Sequence, residues 1–171
     1  WAGTDIRSEL LSYTDANGKS YNGVCMKFIN TEDIAESEKR YDPFVLRLSE
    51  MYLIRAEAAC HEGDLTAAAA DIATLEARAR GVKVSDINLV YANADELDAI
   101  IMNERIKELF LEGHRLFDIT RRHETLSRDT GCGSSLLSMT FPDDRFILPI
   151  PLVELDANKD MQPNPLNSTK R

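Results

Sequence analysis

Two helix-period segments joined by a very short break constrain this chain more than any other feature. From Pro43 onward, FVLRLSEMYLIRAEAACHE sets Val45, Leu48, Tyr52, Ala56 and Ala59 on one helical face and Leu46, Leu53 and Cys60 on another. A helix with two apolar faces is expected to lie between neighbours. Gly63-Asp64 then ends it, and LTAAAADIATLEARARG follows with Leu65, Ala68, Ile72, Leu75 and Ala79 at spacings of three and four before Gly81 stops the pattern. So short a turn makes the two helices pack antiparallel, and the alanines of the second allow close approach of its partner.

The small residues around Glu62-Gly63-Asp64 resemble a tetratricopeptide hairpin, although no repeat period recurs along the chain. A third helix is predicted from near Asn93, an N-cap with Glu96 three residues on, to about Arg122. Its predicted buried stripe is Ile106, Leu109, Phe110, Gly113, Leu116 and Phe117. Glycine costs about 1 kcal/mol relative to alanine inside a helix, so Gly113 on that stripe implies a backbone passing close by. Residues 1–44 are rich in Gly, Asn, Asp, Ser and Thr and read as loop, with one small hairpin turning at Asn17-Gly18. Near the other end, Pro149 and Pro151 in RFILPIP exclude a regular central strand. Pro151 suits instead the first position of a short helix, PLVELDAN, and the tail MQPNPLNSTKR reads as extended and then frayed. The expected fold is mainly α, built of helical hairpins with loop-rich and minor β segments. Residues 1–44 form a loop-rich segment and 45–171 the helical region, within one structural domain. The chain opens on Trp1, which reads as a fragment of a longer protein.

Charge narrows the function classes. Lys and Arg number 20 against 29 Asp and Glu, a net charge of −9. Nucleic-acid binding rests on clustered cations, so that class is excluded, and a basic membrane-binding face is also missing. No apolar stretch is long enough to span a bilayer, so direct membrane insertion by this chain is not expected. Cys25, Cys60 and Cys132 form neither a disulfide framework nor a metal ribbon.

The stretch NERIKELFLEGHRLFDITRR, residues 103–122, holds the densest chemistry. Glu104, Glu108 and Glu112 are four apart, which invites an acid site, but a general acid must be kept protonated and arginines surround these carboxylates. Arg105 precedes Glu108 by three, Glu112 precedes Arg115 by three, and Arg115 precedes Asp118 by three, pairings that favour the ionised form. A carboxylate metal bundle would need Glu-x-x-His repeats that are missing, and His61, His114 and His123 read as structural or solvated. No catalytic residue, metal ligand or cofactor is therefore expected. The favoured reading is a partly buried ion-pair network of Glu50, Glu104, Arg105, Glu108, Glu112, Arg115, Asp118 and Arg121. It would tie the long helix to the helix whose polar face carries Arg47, Glu50 and Glu57.

Four segments in order, LRLSEMYLIRAEA, ARARG, NERIKELFLEGHRLFDITR and FILPIPLVELDAN, resemble the C-terminal half of the SusD/RagB family. The Asp-x-Arg of TDIRSELL and the later MKF give softer support. The resemblance implies an outer-membrane lipoprotein of Bacteroidetes-type bacteria, surface-exposed and lipid-anchored through an N-terminal region outside this chain. Such a protein binds nutrients, mostly glycans, is not an enzyme, and acts with a SusC-type TonB-dependent transporter. It also implies that Glu104, Arg105, Glu108, Glu112, Gly113, Arg115 and Asp118 are structural. The family's ending, Gln-Asn-Pro-Gly, is here Gln162-Pro163-Asn164-Pro165. No ligand-binding residue carries over by position. Sugar recognition uses aromatic faces and planar polar groups on loops, which Trp1, Tyr13, Tyr21 and Tyr41 in the opening segment could offer. The alternative is a tetratricopeptide-like module that binds a protein or peptide.

Overall fold

The structure, a computed structural model, describes residues 4–28 and 45–165. Trp1, Pro43 and Tyr41 lie outside them, as do residues 166–171 of the tail. The chain is mainly helical with minor antiparallel strands, gathered into two compact units that meet in sequence between Gly113 and His114.

In the first unit, α1 (Leu48–His61) and α2 (Leu65–Arg80) form the hairpin that the sequence requires. Gly63 takes φ +85°, Asp64 caps α2 by accepting from the Ala67 amide at 3.0 Å, and Gly81 closes it at φ +64°. Leu53, Ala56 and Cys60 of α1 are buried against Ala68, Ile72 and Leu75 of α2. Leu97, Ile101 and Leu109 complete the same core from α3 (Ala94–Glu108) and the residue just beyond it. Both expected apolar faces are left open at their start, where Val45 and Leu46, just before α1, and Leu48, its first residue, are largely exposed. Asn93 caps α3 by accepting from the Glu96 amide at 2.9 Å, while Glu96 accepts from the Ala92 amide at 2.8 Å. Near the start of the unit, Asp5 caps a 3-10 turn at Ile6–Leu11, which leads into β1 (Ser12–Thr14) and its antiparallel partner β2 (Ser20–Asn22). Asn17-Gly18 lies in the connecting turn, with Gly18 at φ +80°.

The predicted helix from Asn93 to Arg122 is not continuous. α3 stops at Glu108, and α4 (His114–Arg122) begins after a break in which Leu111 takes φ +62° and Gly113 φ +84°. A Cβ at Gly113 would meet nothing within 4 Å, so the close backbone approach expected there is wrong. The glycine serves the left-handed backbone instead. The predicted stripe dissolves: Leu109 is buried, but Ile106 within α3 is exposed, and beyond the break, where the helical period is lost, so are Leu116 and Phe117.

In the second unit, Asp118 and Ile119 of α4 are buried. β3 (Leu126–Ser127) pairs with β4 (Ser138–Met139), and α5 (Leu152–Ala157) follows the proline-rich run. Pro151 stands just before α5 as its cap residue, one place earlier than expected. Among the described residues no helix is long and apolar enough to cross a membrane.

Candidate functional site

The carboxylates of the α3 ladder take their cations from far along the chain. Arg7 donates through Nη1 to Glu104 Oε1 at 2.6 Å and to Glu108 Oε2 at 2.9 Å. Its other edge forks onto Asp5, with Nε donating to Oδ1 at 2.9 Å and Nη2 to Oδ2 at 2.6 Å. Arg47 Nη1 and Arg78 Nη2 both donate to Glu108 Oε1 at 2.6 Å, and Arg47 Nε donates to Glu112 Oε2 at 3.0 Å. Lys27 pairs with Glu112 and donates to the carbonyls of Glu108 at 2.7 Å and Phe110 at 3.1 Å, its ammonium 4.4 Å from the Phe110 ring centre. The carbonyl of Glu108, the last residue of α3, is thus capped by a lysine from the opening segment. This gives a physical reason for the helix to end there.

Burial alone would push the Glu108 carboxyl up, but the hydrogen bond from Arg47 and the charges of Arg78 and Arg47 outweigh it and hold its pKa at about 2. Burial likewise works to raise Asp5, yet the Arg7 fork leaves it lowered. For Arg47, burial is overcome by Glu112 and Glu108, and its pKa is raised. Lys27 goes the other way: burial lowers it by more than Glu112 restores. A cavity of about 180 Å³ opens beside Arg7, Lys27, Arg47, Arg78 and Glu108. The cations there face Asp5, Glu104, Glu108 and Glu112, so little net charge is left to draw an ion. Glu108, fixed as an anion, cannot donate a proton at neutral pH.

Of the predicted network, Glu104, Glu108 and Glu112 converge on these cations. Arg105 is buried and Glu50 half-buried in the same unit. Arg115, Asp118 and Arg121 belong to the second unit. There Arg121 pairs with Asp118 at 2.9 Å, and Arg115 lies 3.6 Å from Glu124. Arg47, which immediately precedes α1, ties the start of that helix to Glu108 and Glu112.

A second feature lies in the second unit, where an open hollow of about 620 Å³ is lined by the run Phe141 to Ile147. Phe141 stacks on His123 at 4.2 Å between ring centres and tilts against Phe146 at 6.0 Å. Asp143 and Arg145 form a two-point fork there, Nε to Oδ1 at 2.7 Å and Nη2 to Oδ2 at 2.5 Å.

The sequence matches the SusD family, SusD_RagB, over residues 9–166. The chain belongs to the SusD family. A solved protein from Bacteroides vulgatus ATCC 8482, described as a "putative sugar binding protein", is similar over 96% of this chain, with 26% identity and a TM-score of 0.77. This chain spans 36% of that protein's length. A comparison with curated proteins found no match.

In this SusD-family chain, the cluster residues that the helix-period reading missed are Asp5, Arg7, Lys27 and Arg78. The Asp-x-Arg at residues 5–7 and the Lys27-Phe28 pair were the available signals, but nothing local says that they meet α3. Tyr13 and Tyr21 are cross-strand partners on the hairpin, partly exposed, with ring centres 6.2 Å apart and Lys19 lying 4.9 Å from the Tyr21 ring centre. His61, read from the sequence as structural or solvated, places Nε2 3.6 Å from Asp98 Oδ1 on α3.

Proposed function

We propose that this chain is part of a non-catalytic glycan-binding protein of the cell surface, lipid-anchored at the outer membrane and working with a SusC-type TonB-dependent transporter. Membership of the SusD family across residues 9–166 carries the reading, and the sugar-binding description of the solved neighbour supports it. The chemistry of the charge cluster agrees, because its central carboxylate is held ionised and acts as a strut. The ion-pair network is structural: it fixes the end of α3 and the opening segment against α1 and α2 without presenting a reactive group.

For contact with the glycan, the hollow at Phe141 to Ile147 fits best. It sets the half-buried Phe146 ring beside a planar Asp–Arg fork on one open concave surface, the pairing of an aromatic face with a planar polar group that sugar recognition uses. The test is calorimetric binding of the full-length protein to a panel of soluble oligosaccharides, with product analysis alongside. Binding without turnover is expected, weakened about tenfold or more by Phe146→Ala and unaffected by Tyr13→Ala. Hydrolysis of any panel member would overturn the non-enzymatic role. Absence of binding, together with absence of a transporter barrel after purification in mild detergent, would overturn the importer reading.

A further inference from the structure

We infer that Glu57, His61 and Asp98 form a binding site for one transition-metal dication at the end of the α1–α3 contact. Their ligand atoms, one from each residue, all lie within 4.8 Å of one another, and His61 Nε2 is 3.6 Å from Asp98 Oδ1. Bonds of about 2.0–2.2 Å to such an ion set neighbouring donors roughly 3.4 Å apart, so small side-chain rotations bring the three into range. Glu57 and His61 are one helical turn apart on α1 and share a face, while Asp98 reaches in from α3.

The frame is rigid where it must be. Cys60, next to His61, is buried and donates from Sγ to the Ala94 carbonyl at 3.4 Å, one turn before Asp98. Leu97, next to Asp98, is fully buried. Glu57 is buried and Asp98 half-buried, whereas His61 is exposed and free to turn onto an ion. Two carboxylates and an imidazole make a donor set of the kind that holds a dication. The imidazole selects zinc, copper, nickel or iron over calcium, magnesium and manganese, which favour oxygen donors. Only the fold brings Asp98 to the other two residues.

Zinc titration by calorimetry tests the site, using the Cys132→Ser background to remove an exposed thiol. One zinc per chain is expected, with a higher Tm on binding, and neither calcium nor magnesium should replace it. His61→Ala alters an exposed side chain and should leave the circular dichroism spectrum unchanged while weakening zinc binding about tenfold or more. Asp98→Asn should do the same, and His123→Ala should have no effect. No zinc binding by the parent, or equal binding by parent and His61→Ala, overturns the assignment. Since these residues belong to the first unit and the hollow to the second, loss of zinc binding and loss of glycan binding are separate outcomes.

Discussion

Among the described residues the same three-residue device occurs twice, once buried and once exposed. At Asp5-Ile6-Arg7 and again at Asp143-Asp144-Arg145, an aspartate caps a 3-10 turn, accepts from the arginine's amide, and is gripped by that arginine's Nε and Nη2. In the first unit the arginine's remaining edge goes on to two buried glutamates, Glu104 and Glu108, the second of which Arg47 and Arg78 also reach. In the second unit the fork ends with itself, beside an open hollow. Both arrangements hold a carboxyl near 2: Glu108 against burial, and Asp143 chiefly through the hydrogen bonds from Arg145. Their consequences for stability differ. Asp143 and Arg145 are two residues apart and remain neighbours in the unfolded chain. The partners of Glu108 lie 30, 61 and 101 residues away and meet it only in the fold. The lesson is that a carboxyl shift reports folding free energy only where folding itself creates the partner.

Breaking the buried device should give the largest effect. Glu108→Gln leaves Arg7, Arg47 and Arg78 without their shared anion and is expected to lower unfolding free energy by about 3–5 kcal/mol in urea denaturation. The pH dependence sharpens this. Glu108 has an ordinary pKa of 4.5 lowered to about 2 in the folded state. Its contribution is therefore complete above about pH 4.5 and lost as pH falls toward 2, and Glu108→Gln should flatten that part of the profile. An unchanged profile would show that the cluster contributes nothing to acid sensitivity.

An intermediate effect is expected at the break between α3 and α4. Gly113→Ala meets no steric obstacle, but its φ of +84° disfavours any side chain, so destabilisation of about 1–2 kcal/mol is expected. A raised Tm would mean that the left-handed turn is dispensable. The smallest effect belongs to the exposed device: Asp143→Asn should leave Tm unchanged within error, because its ion pair is screened by water and already local. A Tm loss there comparable to that of Glu108→Gln would remove the distinction between the two copies.

The sequence by itself determined the helical hairpin and its caps. Periodicity placed Ala68, Ile72 and Leu75 in the core, and Asp64, Gly81 and Asn93 act where local backbone chemistry requires them. The order of the family segments also fixed the family. These features are legible because each depends on residues within a turn or two of one another. Tertiary structure alone decided where α3 ends, since the lysine that caps it, Lys27, lies 81 residues before Glu108 in the chain. The same holds for the pairing of Glu108 with Arg7, Arg47 and Arg78, and for bringing Asp98 beside His61. Charge attraction has no period along a sequence, and which opposite charge a buried group meets is settled only when apolar packing has fixed the backbones that carry both.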